Sequence, residues 1–213
     1  MSASEIYFKQ LELGPMQNFA YLIGDPASRE AAVVDPGWDA ARILKTVEQD
    51  GYRLTKAFVT HHHYDHVTAL EALLEAADVP VYVHRDDVPF MRVAASSLTP
   101  LTDGEAVQVG RIPVTAIHTP GHTPGSQCLL VEGRLLTGDT LFIRACGRWD
   151  LPGGSPAQLY ESLTKLKALD DAVVVCPGHN YADRPLSTIR DEKQTNPFLQ
   201  IPSAEEFLRM AQR

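Results

Sequence analysis

No run of this chain is both long enough and free enough of charge to cross a membrane, which takes about 20 consecutive apolar residues. The opening Met1-Ser2-Ala3-Ser4-Glu5 lacks the basic and then apolar pattern of a secretory signal. A cytoplasmic address without membrane partners is the expectation. Cysteine is scarce. Cys128, Cys146 and Cys176 are odd in number and lack metal-knuckle spacing, so buried apolar roles are expected for them rather than a disulfide framework. Positive charge is also short: 19 Lys and Arg stand against 27 Asp and Glu, a net charge of −8. That balance argues against a nucleic-acid partner, whose phosphates need a basic patch. An anionic small substrate is still compatible, because metal ions dominate the field around themselves. No linker, short repeat or low-complexity run divides the 213 residues, and a single domain over 1–213 is expected.

What the chain does contain is a regular alternation of strand and helix patterns. Residues 6–13, 19–23 and 31–34 read as opening strands. Ile43, Leu44 and Val47 fall at helical spacing within 38–49, with Gly51 as a stop. A strand at 56–60, a helix over 68–77 and a strand over 79–84 follow. Short strands broken by glycines fill 104–141, with Glu132-Gly133 as a hairpin turn. Ser155-Pro156 opens a helix over 156–168, a strand runs to Cys176, and the tail at 185–213 divides into two short helices around Asn196-Pro197. These periods define an α/β fold without selecting one arrangement of its layers.

The chemistry concentrates after the strand at 56–60, in His61-His62-His63-Tyr64-Asp65-His66. Imidazole and carboxylate without thiolate suit zinc, iron or manganese. Four donors this close cannot all face one tetrahedral ion that also keeps an open position. Alternate residues of extended chain point the same way, so His61 and His63 can reach one ion, while Asp65 and His66 beyond the turn reach a second. Three distant residues match them. His122 lies in the turn Thr119-Pro120-Gly121-His122-Thr123-Pro124-Gly125, Asp139 follows Leu135-Leu136-Thr137-Gly138, and His179 follows Val173-Val174-Val175-Cys176-Pro177-Gly178. Each stands just past an apolar run, where the loops at one sheet edge converge. The five histidines and two aspartates suffice for two ions sharing a carboxylate.

Taken in order, these segments resemble the metallo-β-lactamase superfamily, and within it the glyoxalase II and persulfide dioxygenase branch. Val33-Val34-Asp35-Pro36-Gly37, Thr137-Gly138-Asp139-Thr140-Leu141-Phe142, Cys146-Gly147-Arg148 and Pro177-Gly178-His179-Asn180-Tyr181 complete the likeness, which spans nearly the whole chain. The resemblance implies a four-layer αβ/βα sandwich. It implies two divalent ions, zinc foremost with iron or manganese also suited. His61, His63 and His122 would hold the first, Asp65, His66 and His179 the second, and Asp139 would bridge them. It also implies that Arg148 and Tyr181 contact a glutathione moiety. Their plainer roles are an ion pair with Asp150 and simple packing. The chain departs from glyoxalase II where Val67-Thr68-Ala69 replaces the usual Gly-Gly.

A metal-dependent hydrolase of a thioester such as an S-acylglutathione is therefore expected, with Asp65 orienting the hydroxide nucleophile. The alternative is a dioxygenase acting on glutathione persulfide, with one iron(II) held by His61, His122 and Asp139, or a lactonase of the same fold. His62 is expected to point away from the ions. His84 and His118 are expected to be structural. Asp35 is open between a turn residue and an acceptor that orients a metal-bound imidazole.

Overall fold

The computed structural model describes residues 6–212, so Met1–Glu5, on which the reading of the N-terminus rests, lie outside the described residues. The opening alternation builds β1 (Tyr7–Leu13) and β2 (Asn18–Asp25), an antiparallel pair with Leu13 opposite Asn18. β2 is buried along its whole length, as a central strand covered on both faces must be. β3 (Glu30–Val34) joins it, and α1 (Ala40–Gln49) carries the chain over to the parallel β4 (Arg53–Phe58). The helix begins where the Asp39 carboxylate accepts the Arg42 N–H at 3.0 Å, and it buries Ile43 and Val47. α2 (Tyr64–Val67) and α3 (Leu70–Ala76) lead to β5 (Val81–His84) and β6 (Leu98–Leu101), completing a sheet ordered β1-β2-β3-β4-β5-β6.

The second sheet takes in β7 (Ala106–Val109), β8 (Ile112–His118), β9 (Gln127–Val131) and β10 (Arg134–Gly138). Glu132 and Gly133, at φ 44° and 73°, form the expected hairpin turn between β9 and β10; two positive φ values give this turn the twist of the strands it joins. A ribbon of β11 (Leu141–Phe142) and β12 (Ala145–Cys146) follows. α4 (Pro156–Lys167) then precedes β13 (Val174–Pro177) and β14 (Ser187–Thr188), and the sheet order is β14-β13-β10-β9-β8-β7. The tail forms α5 (Ile189–Thr195) and α6 (Ala204–Ala211) on either side of Asn196-Pro197.

Three apolar layers hold these parts together. Phe19, Tyr21, Ile23, Val34 and Phe58 of the first sheet pack against Val114, Leu129 and Leu136 of the second. The outer face of the first sheet takes Ile43, Val47, Leu70 and Leu73 from α1 and α3. That of the second takes Leu159, Leu163, Ile189 and Phe207 from α4, α5 and α6. Helix, sheet, sheet, helix is the αβ/βα sandwich. Cys128 and Cys176 are buried free thiols and Cys146 is half-buried. Among the described residues no helix is long and apolar enough to cross a membrane.

Two differences from expectation have specific backbone causes. The helix expected over 68–77 starts only at Leu70, as α3, because the Ala69 N–H turns to the carbonyls of Pro36 and Gly37, at 3.2 and 3.1 Å, and so parts it from α2. The loop after β3 is thereby docked onto the histidine motif. The strand expected over 79–84 starts only at Val81, since Pro80 has no N–H to offer a ladder.

Candidate metal centre

The centre forms where chain segments leave the ends of β4, β10 and β13, with the β8–β9 turn beside them. β4 runs through Val59 and Thr60 into His61. The rings of His61, His63 and His122 stand edge to face, with centroids 4.8, 4.7 and 4.6 Å apart. His63 Nδ1 comes within 2.9 Å of His122 Nε2, and His61 Nε2 is buried with no hydrogen-bond partner. α2 presents Asp65 and His66 to His179. His66 Nε2 and His179 Nε2 are 3.2 Å apart, and Asp65 Oδ2 lies 3.5 and 3.3 Å from them. Asp139 stands between the two trios. Its Oδ1 is 3.2 Å from His66 Nε2, and its Oδ2 is 3.6 Å from His122 Nε2 and 3.4 Å from His179 Nε2. All seven candidates therefore meet in one place.

Donors about 2.1 Å from a tetrahedral ion sit roughly 3.4 Å apart. The separations above bracket that value, and the unpartnered His61 Nε2 is what a ligand nitrogen looks like before its cation arrives. The outward nitrogens point the same way. His66 Nδ1–H donates to Asp35 Oδ2 at 2.9 Å, His122 Nδ1–H to the Arg148 carbonyl at 2.7 Å, and His179 Nδ1–H to the Met16 carbonyl at 2.9 Å. His61 Nδ1 lies 3.1 Å from Thr60 Oγ1, whose hydroxyl donates to Asp35 Oδ2 at 2.7 Å. Each contact selects the tautomer with its Nε2 lone pair facing inward. The residues present fit two divalent ions.

Electrostatics agree with that fit. Burial pushes His61 well down, helped by His66, and burial with the neighbouring His122 brings His63 to about 4. Burial also opposes charge on Asp139, yet His66 and His179 hold it well below the carboxylate range. Against burial, Asp139 and Asp65 raise His179 to about 9, and Asp139 with Asp35 holds His66 well above the usual imidazole range. His61 and His63 are thus held neutral, the form that ligates a cation, while the aspartates draw positive charge onto the side of His66 and His179.

Close backbone approach makes this geometry possible. A Cβ on Gly147 would sit 1.7 Å from the Asp139 carbonyl oxygen, and one on Gly178 2.5 Å from Asp139 Oδ1. Only glycine lets the β12 and β13 ends close on the aspartate.

Asp35 is the imidazole acceptor rather than only a turn residue. His62 turns away, its Nδ1 2.9 Å from Asp87 Oδ2. His84, Asp86 and His118 also cluster, but the two imidazoles stack at 3.8 Å and 7°. An ion must lie in the plane of each ligating ring, and nearly parallel stacked planes do not meet at one. His118→Ala is accordingly expected to leave metal content unchanged and to cost about 1 kcal/mol for its hydrogen bond to the Pro124 carbonyl; elemental analysis with a thermal melt checks both. Arg148 is exposed and grips Asp150 through Nε and Nη2 at 2.9 and 2.8 Å. Tyr181 stacks on His179 at 4.5 Å.

Sequence reasoning missed Asn18 and Trp38. Asn18 Nδ2 donates to Asp65 Oδ2 at 2.9 Å, and its own oxygen accepts from Trp38 Nε1 at 2.8 Å. Nothing local distinguishes Asn18 from any strand-opening asparagine.

Two sheets with two donor trios around one aspartate define a metalloenzyme of the hydrolase and oxygenase kind. The profile of the metallo-beta-lactamase superfamily matches residues 13–179, and the chain belongs to that family. It is 39% identical over 198 residues to the hydroxyacylglutathione hydrolase of Alkalilimnicola ehrlichii, covering 92% of this chain and 72% of that one. It is 32% identical over 197 residues to PksB of Bacillus subtilis, a probable polyketide biosynthesis zinc-dependent hydrolase, covering 92% and 88%. The crystal structure of ETHE1 from Myxococcus xanthus superposes with a TM-score of 0.89 at 36% identity, over 97% of this chain and 90% of that one. Persulfide dioxygenases among the relatives also carry the name ETHE1.

Proposed function

We propose that the protein hydrolyses thioesters, S-acylglutathiones among them, at a centre of two zinc ions. The observation that carries this reading is the complete second trio, Asp65, His66 and His179, lying against the same Asp139 that faces the first. When bound, two divalent ions supply a hydroxide nucleophile at neutral pH and a Lewis acid for the acyl oxygen. The remaining work falls to the chain. Asp65, fixed by Asn18 and Trp38, orients the nucleophile toward the acyl carbon. The outer partners Asp35, Thr60, Met16 and Arg148 keep the imidazoles from rotating, so the donors do not reorganise during the reaction. A thiol of pKa about 8.5 leaves as thiolate without a strong acid to protonate it. The test is hydrolysis of a set of S-acylglutathiones, from D-lactoyl and acetyl to hexanoyl, by zinc-loaded protein. Intact zinc with no turnover would sink the reading.

Arg148 and Tyr181 are proposed to hold the thiol half. An Arg guanidinium offers a planar fork to a glutathione carboxylate, in competition with Asp150. Arg148→Ala should raise KM roughly tenfold with little change in kcat, an exposed charged contact being worth less than a buried one. Asp150→Ala should lower KM by freeing the fork, and Tyr181→Phe should raise it slightly. Equal losses for Arg148→Ala on a thioester lacking the glutathione carboxylates would make the arginine structural.

One observation favours a second reading. The likeness to ETHE1 covers nearly the whole chain, tail included. A dioxygenase with one iron(II) at His61, His122 and Asp139 would take up oxygen with glutathione persulfide, and an oxygen electrode separates it from the hydrolase.

A further inference from the structure

Three large hydrophobic side chains are exposed among the described residues, and all flank the metal centre: Tyr64 at 61%, Phe90 at 50% and Tyr181 at 57%. Tyr181 covers His179, a member of the second trio. Tyr64 and Phe90 stand on the His63 side. They line a cavity of about 510 Å³ that opens beside His63 of the first trio, together with Val67, Met91 and Val93. The size lies within the roughly 300–1,000 Å³ range of small-molecule sites. A three-carbon lactoyl group would leave most of it empty.

The wall of this cavity is fixed to the catalytic loops. The Phe90 ring stacks on His62 at 4.6 Å and 23°. His62 Nδ1 lies 2.9 Å from the fully buried Asp87. The same carboxylate accepts the His62 N–H at 2.9 Å, the Thr123 hydroxyl at 2.9 Å and the Gly125 N–H at 2.7 Å. Asp87 thus ties Phe90 both to the residue between two ligands and to the turn that carries His122. A floppy surface aromatic has no such anchorage. Arg92 and Glu71, exposed and opposite in charge, are the only charged residues among the eleven that line the cavity apart from its histidines. Their charges offset, so the interior favours an uncharged apolar group.

We propose that this cavity is the acyl subsite, and that the substrate class is thioesters of medium-length apolar acids rather than of lactate. The proposal rests on the thioesterase reading for its chemistry, while the binding surface stands by itself. A carbonyl held at the centre places its thiol half against Tyr181 and Arg148, and its acyl half along His63 into the cavity. Each methylene entering it leaves water, and that burial multiplies affinity for the bound group about three- to fourfold.

The experiment uses zinc-loaded full-length protein and S-acylglutathiones with acetyl, butyryl and hexanoyl groups. In the wild type, kcat/KM should climb about three- to fourfold per methylene. Val93→Trp, which fills the cavity, should flatten the climb, and Phe90→Ala should cut the hexanoyl-to-acetyl ratio about tenfold. His84→Ala should keep the wild-type ratio. A preference for acetyl in the wild type, or an equal climb in wild type, Val93→Trp and Phe90→Ala, overturns the proposal. Calorimetric titration with 4-phenylbutyrate reads the cavity without turnover. Binding to the wild type that weakens at least fivefold in both Val93→Trp and Phe90→Ala supports the subsite even if no thioester is cleaved. Absent binding, or binding equal in all three proteins, overturns it.

Discussion

Asp139→Asn should empty the centre and silence the enzyme together. The substitution keeps shape and removes the one charge that faces both trios, with oxygens 3.2 to 3.6 Å from His66, His179 and His122. Loss of an outer partner of a ligand costs about 10- to 100-fold in metal affinity, and loss of a shared ligand should exceed the upper end of that range. Desalted protein should therefore carry well under one ion per chain, with activity reduced by about 1,000-fold or more. Elemental analysis beside initial rates gives both numbers. Full metal content in Asp139→Asn, with an empty centre in His118→Ala, would show that the ligands have been assigned wrongly.

Asp35→Ala should damage stability and metal affinity at once. Asp35 Oδ1 accepts the Thr60 N–H at 2.7 Å, and Oδ2 accepts from the Thr60 hydroxyl and from His66 Nδ1 at 2.7 and 2.9 Å. Alanine strands three buried polar groups, each worth about 1–3 kcal/mol, and sits poorly at a φ of 51°. A loss of roughly 3–5 kcal/mol would lower the melting temperature of the metal-free protein by about 10 °C. Zinc affinity should fall about 10- to 100-fold, because His66 is no longer held in its ligating tautomer. Asp35→Asn tolerates the backbone and keeps one acceptor oxygen, so its melt should lie between those of wild type and Asp35→Ala. Wild-type melting and zinc binding in Asp35→Ala would return Asp35 to a turn residue.

Strands were legible wherever one face is apolar, as in β1, or wherever both are, as in β2 and β13. The stretch from Arg85 to Leu101 was not. It forms turns at Val88–Phe90 and Ala95–Ser97 before β6, and two prolines with scattered charges leave it no period to read. It nevertheless supplies Asp87 and Phe90. The break between α2 and α3 was hidden for another reason: the carbonyls that capture the Ala69 N–H come from Pro36 and Gly37, more than thirty residues away in the chain.

The site divides along the same line. Donor identity and order in the chain were written in the motif at 61–66 and in the turns holding His122, Asp139 and His179, because coordination chemistry demands particular side chains at strand ends. Partners such as the Met16 and Arg148 carbonyls leave no mark in a sequence, since every residue has a carbonyl. Asn18 reaches Asp65 because the start of β2 bridges to His179 just past the end of β13, with the Phe19 N–H donating to the Gly178 carbonyl at 2.8 Å. The sequence by itself determined which side chains could bind cations, and the family likeness how they group into two trios. The tertiary structure alone decided which nitrogen of each imidazole faces inward, which backbone groups hold it there, and that an apolar cavity opens beside His63. Those outcomes depend on contacts between distant segments, and local periodicity carries no information about them.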